Sequence, residues 1–216
     1  MKREHATTLE LDENVADAPV KKPKLLCKID VGDWVVRDAC QCLNESTTHR
    51  FPALFRPFVD TTAEKSETIE RKATDSEAEP SKSEEDDYLE SNVDEQLLLL
   101  VKFTPRLKLH EIHLQVFDDG SAPKNVRLFV NEPHLSFEDA GDAIPAQTVT
   151  LTEEDLVKEG NNVLKIPLKL IKFQKVDTVS VFVEDNMGGK ERTRIRRIRF
   201  IGDAYQKVMI DLTNDK

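Results

Sequence analysis

Cysteine is nearly absent: Cys27, Cys40 and Cys42 are the only three in 216 residues. An odd, small number excludes a disulfide framework and fits a reducing compartment. Long apolar runs are also missing. The longest, Leu97–Val101, has five residues, against about 20 for a membrane-spanning helix. The opening MKREHATTLELDENVADAP has no apolar stretch of the kind a secretory signal requires. An intracellular protein, cytoplasmic and nuclear, with no membrane partner is expected. Aromatic residues make up 6% of the chain, with one Trp and two Tyr, so few rings are on hand to stack on nucleic-acid bases. No strand-to-helix glycine loop with a following Lys and hydroxyl is present, which removes a phosphate-cradling loop.

Acidic charge is abundant, and it has an address. The net charge is −10, and between Asp60 and Glu95 fourteen Asp/Glu face four Lys/Arg, so the rest of the chain is close to neutral. Thr61–Asp87 combines low apolar content with high charge and cannot offset the entropy of ordering. It is expected to be a disordered acidic insert. Ser76 and Ser83, each with an acid three residues downstream, suit an acidophilic kinase. Residues 1–24, ending in the basic Lys21-Lys22-Pro23-Lys24, are expected to form a flexible tail, with 25–216 as one domain carrying the insert at 61–87.

Elsewhere the apolar residues alternate with period two. Leu97–Phe103, Leu107–Phe117, Val126–Asn131, Gln147–Leu151, Val163–Ile166, Val176–Val183, Thr193–Ile201 and Val208–Leu212 predict about eight strands. Asp118-Asp119-Gly120 predicts a turn, and Thr152 with Asp155 a capped single helical turn. No 3.6-residue period lasts beyond two turns. The expected fold class is all-β, an antiparallel sandwich or jelly roll.

The stretch VFVEDNMGGKERTRIRRIRFIG, residues 181–202, predicts a hairpin whose tip is Glu184 to Lys190. Met187-Gly188-Gly189 supply positions tolerant of positive φ. Ile195 and Ile198 differ in parity, and a bulge between Arg196 and Arg197 would bury both. Arg192, Arg194, Arg196, Arg197 and Arg199 read as the solvated face of an edge strand rather than a nucleic-acid strip, because no aromatic pair is interleaved with them.

Chemical candidates are few. Cys27, Cys40, Cys42 and His49 lack the paired spacing of a structural zinc site. His110 and His113 face opposite sides of a strand. Glu184, Asp185 and Asn186 are too few for calcium without ligands from other loops. Cys40-Gln41-Cys42 is not the Cys-x-x-Cys of a thiol oxidoreductase. No cofactor, metal or catalytic constellation is expected.

Cys42-Leu43-Asn44-Glu45-Ser46, Tyr88-Leu89-Glu90-Ser91, Asp94-Glu95-Gln96-Leu97, Val126–Pro133 and above all FQKVDTVSVFVEDNMGGKERTRIRRIRFIG resemble the PITH domain. The resemblance implies a jelly-roll β-sandwich of the galactose-binding-domain-like type. It also implies a non-enzymatic, proteasome-associated adaptor that binds the regulatory particle of the 26S proteasome. In some relatives this domain is joined to a thioredoxin domain, which is absent here, so no redox activity is carried over. A small-ligand or calcium-binding jelly roll and a nuclear regulatory protein are the alternatives. Partner-binding residues are expected at the tip, namely Glu184, Asp185, Asn186, Gly188 and Gly189, with Arg194, on a monomer.

Overall fold

A computed structural model describes residues 29–58, 87–157 and 162–205. The expected strand Val208–Leu212, the tail, Ser76, Ser83 and Cys27 lie outside the described residues, as does the acidic segment up to Asp86.

Its spine is β4, Leu97–Gln115, a single strand where the sequence predicts two. Leu97, Leu99, Val101, Phe103, Leu107 and Leu109 face the main core from odd positions, and Ile112 and Leu114 face it from even ones. The switch has a cause. Ile201 pairs with Glu111 and Gly202 with Leu109, so His110 is an extra residue that turns the following side chains over.

The first half of β4 pairs with β2 (Gln41–Leu43) and β9 (Val176–Val183), and its second half with β8 (Val163–Pro167) and β11 (Arg197–Ala204). One strand thus serves both layers, and the nine-stranded antiparallel sheet curls over a shared core. Its main path runs β1 (Ile29–Asp30), β11, β4, β9, β5 (Asn125–Val130), β6 (Gln147–Thr150). β7 (Leu156–Val157) pairs with β8, and β3 (Leu89–Glu90) forms a separate ribbon with β10 (Arg194–Ile195). The fold is an all-β jelly-roll β-sandwich, as expected, with eleven strands among the described residues.

Two local signals behave as read. Thr152 and Asp155 form a reciprocal capping box over Glu153–Asp155, and Gly120 closes the Asp118–Gly120 turn at φ 84°. One helix was not anticipated: α1, Phe137–Asp142, capped by Ser136 and Asp139. With six residues it has no apolar period to detect. It covers a small second core of Leu98, Phe129, Ala140 and Phe182 on the outer face of the sheet.

Candidate functional site

The 181–202 stretch is not a hairpin. β9 pairs with β4 and β5, whereas beyond the loop β10 pairs with β3 and β11 with β4. The opposite parities of Ile195 and Ile198 are accommodated by a break at Arg196 between two ribbons rather than by a bulge, and both isoleucines are buried.

Nor are the acidic and amide side chains of the tip free in solvent. Glu184 Oε1 meets the Arg127 guanidinium at 2.6 Å. The Asp185 carboxylate accepts from the Asn125 backbone N–H at 2.8 Å and from its Nδ2 at 2.9 Å. Asn186 is 3% exposed; its Nδ2 donates to the Lys190 carbonyl at 2.8 Å, and its Oδ1 accepts the Lys190 N–H at 2.7 Å. These side chains therefore shape the loop, as Asx residues in turns do. Gly189 has φ 60°, but Gly188 is required for a different reason. Its N–H donates to the Gly120 carbonyl at 2.7 Å, and a Cβ there would sit 2.9 Å from Gly120 Cα. Bonds from Lys124 N–H to Asp185, Met187 N–H to Ala122 and Arg194 N–H to Ser121 complete a staple between loops 118–124 and 184–194. Exposure is left to Gly188–Arg192.

Arg194 closes this end. Its guanidinium pairs with Asp119, its Nε donates to Ser121 Oγ at 3.2 Å, and it lies 4.6 Å over the Phe117 ring. Burial raises the Asp119 pKa, but hydrogen bonds from Ser121 and the charges of Arg194 and Lys190 outweigh it and hold the carboxyl below its ordinary value.

The arginine run is not the face of an edge strand, because β11 lies between β1 and β4. Arg197 is 2% exposed, and its guanidinium donates to the carbonyls of Pro57 and Asp87. Asp87 also pairs with Arg56 at 2.9 Å, so this residue, assigned to the insert from sequence, belongs to the fold. Arg192 pairs with Glu90 at 3.0 Å, whereas Arg194, Arg196 and Arg199 do have aromatic companions. Arg196 stacks 4.3 Å over Phe117, which also packs against Tyr88, and Arg199 lies 4.1 Å over Phe58 and 2.8 Å from Asp30. Those rings come from distant parts of the chain, and no local pattern announces them.

Beside Arg199 is a cavity of about 390 Å³ lined by Arg37, Phe55, Arg56 and Phe58. A second, of about 350 Å³, shares Arg37 and Phe55 and reaches Cys40, Cys42 and Arg50. The thiols are not poised for chemistry. Burial pushes both upward, Glu45 adding to the effect at Cys42 while a hydrogen bond from Lys102 works against it at Cys40. Cys40 Sγ donates to the Val36 carbonyl at 3.2 Å, Cys42 Sγ to that of Leu43 at 3.6 Å, and His49 stacks on Tyr88 at 3.9 Å. His110 meets Asp203 and His113 meets Glu111. Among the described residues, no three His, Cys, Asp or Glu side chains are grouped to hold a metal, and no helix is long and apolar enough to cross a membrane.

The family model of the PITH domain matches residues 26–215. Thioredoxin-like protein 1 of Schizosaccharomyces pombe is 38% identical over 120 residues, 54% of this chain and 40% of that protein. PITH domain-containing protein 1 of Xenopus laevis is 31% identical over 166 residues, 77% of this chain and 66% of that one. Its namesake in Homo sapiens is 29% identical over 163 residues, covering 76% and 64%. The chain thus spans less than two thirds of the length of each of these three relatives. The PITH domain-containing relatives are not named as enzymes. Among solved structures, the C-terminal domain of a chitobiase from Bacteroides fragilis superposes with a TM-score of 0.48 at 13% identity, over 83% of this chain and 99% of that one. A family 32 CBM from C. perfringens in complex with galactose gives 0.48 at 7%, over 80% and 99%. At such similarity, no ligand is carried over.

Proposed function

Since this chain belongs to the PITH domain family, its residues 26–215 matching the family model, we propose that it is a non-enzymatic docking module for the regulatory particle of the 26S proteasome, acting as a monomer in cytoplasm and nucleus. Family membership carries this reading. A rigid sandwich with two stapled loops supports it, because binding residues concentrate on loops that a packed scaffold holds in place. Within the 184–194 loop, Glu184, Asp185 and Asn186 act as positioning residues. Gly188 and Gly189 bring exposed backbone to the surface, and Arg194 anchors the loop to Asp119. Contact with the partner falls to the exposed Gly188–Arg192 segment. A calcium site at this tip has little support, since N–H donors already engage the Asp185 and Asn186 oxygens.

The test is association of the full chain with purified 26S particle under native, low-salt conditions. Wild type associates, and Lys190→Glu with Glu191→Lys weakens association at least tenfold without moving the melting curve; Arg192 is kept because it pairs with Glu90 at 3.0 Å. No association of wild type overturns the docking reading; full association of the folded double variant removes the tip from the interface.

A further inference from the structure

At the opposite end of β9 from the stapled 184–194 loop, the β8–β9 connection combines features that neither folding nor the tip explains. Leu168 and Phe173 are buried, and their backbones are tied to β4 by Leu168 N–H to the His110 carbonyl and Leu109 N–H to the Phe173 carbonyl. Between these anchors, Lys172 N–H bonds to the Lys169 carbonyl and Phe173 N–H to that of Leu170. This tight turn holds Leu170 46% and Ile171 87% exposed. Ile144, 92% exposed, is tethered near this turn. It lies three residues, at most about 11 Å of chain, from Gln147, whose side chain bridges Pro167 and Lys169.

Around these aliphatic groups stand Lys165, Lys169, Lys172 and Lys175, all exposed, with no acid in the sequence between Val163 and Val176. None of the four forms an ion pair with a carboxylate among the described residues. The flanking acids in sequence are Asp177, which pairs with Arg106, and Glu159, which lies outside the described residues; across the ladder, Glu111 stands opposite Pro167 and meets His113.

We propose that the Lys165–Lys175 turn, with Ile144, is a docking surface for a partner protein that presents an apolar pocket edged by carboxylates. Aliphatic anchors that enter a pocket inside a polar rim are where interface energy concentrates. Ammonium groups that meet no carboxylate among the described residues, Lys175 resting 5.4 Å over the Tyr205 ring, steer an acidic partner and reject a basic one. Charge complementarity thus selects an acidic partner. An anionic bilayer fits less well, because few apolar groups project and the chain carries a net charge of −10. The surface is independent of whether the partner is the proteasome.

A photoreactive benzophenone amino acid placed at position 171 of the full chain, with the exposed position 38 as control, is irradiated in native lysate and the adducts are sequenced. The expected result is a defined protein adduct at 171 and not at 38, with the labelled peptide carrying clustered Asp or Glu beside aliphatic residues. Lys169→Glu with Lys172→Glu should cut its yield more than tenfold at unchanged melting temperature. Adducts equal to the control, a yield insensitive to charge reversal, or adducts to a second copy or to the chain's own acidic segment overturn the proposal. Charge-reversible co-sedimentation with phosphatidylserine vesicles, without a protein adduct, overturns it in favour of a membrane. Whether the labelled protein is a proteasome subunit bears on the docking reading alone.

Discussion

Arg197 and Arg199 look alike in sequence, and replacing each by alanine should separate them. Arg197 is buried, and its guanidinium bonds to the Pro57 carbonyl at 3.0 Å, the Arg196 carbonyl at 2.7 Å and the Asp87 carbonyl. Hydrogen bonds from a charged donor contribute about 1.5–3 kcal/mol each. The two that join distant segments are therefore worth about 3–6 kcal/mol, less what is regained by no longer burying a charge. A net loss of about 3 kcal/mol is expected for Arg197→Ala, which lowers Tm by about 6–12 °C in a domain of this size. Arg197→Lys keeps the charge but lacks the planar fork, and should lose about half as much. Arg199 is half-exposed and paired with Asp30, so Arg199→Ala should cost less than about 1 kcal/mol. Urea titrations with a common m-value give all three numbers. If the two alanine variants fall within about 1 kcal/mol of each other, the clamp contributes nothing and the reasoning fails.

Gly202→Ala would bring a Cβ to 2.3 Å from the Lys108 carbonyl oxygen at the bulge; a loss of at least about 2 kcal/mol in urea titration is expected, and a near-neutral result would show that the bulge relaxes freely. Cys40 and Cys42, with pKa values raised by burial, should resist iodoacetamide at pH 8 in the folded chain and react on unfolding; rapid native labelling would contradict their inert setting. Deletion of Thr61–Asp86, retaining Asp87 as a partner of Arg56 and Arg197, should leave Tm within a few degrees, because shortening a loop changes closure entropy by only about 1 kcal/mol. Collapse of that variant would place the segment within the fold.

The β class was legible in the sequence because period-two alternation is local, and burial of one face demands it whichever strand lies alongside. The Thr152–Asp155 box and the Asp118–Gly120 turn were legible for the same reason, since their partners sit within three residues of one another. Pairing was not legible: the backbone edges of β9 carry no residue code, so that strand was given a hairpin partner when β4 and β5 flank it. The two expected strands merged into β4 because the curled sheet extends one strand through both layers. Tertiary structure also decided which arginine is buried, which rings cover Arg194, Arg196 and Arg199, and that Asn186 faces inward. Those outcomes depend on Pro57, Phe58, Asp87, Phe117 and Gly120, residues distant in the chain, and only the closed sandwich brings them to the 186–199 segment.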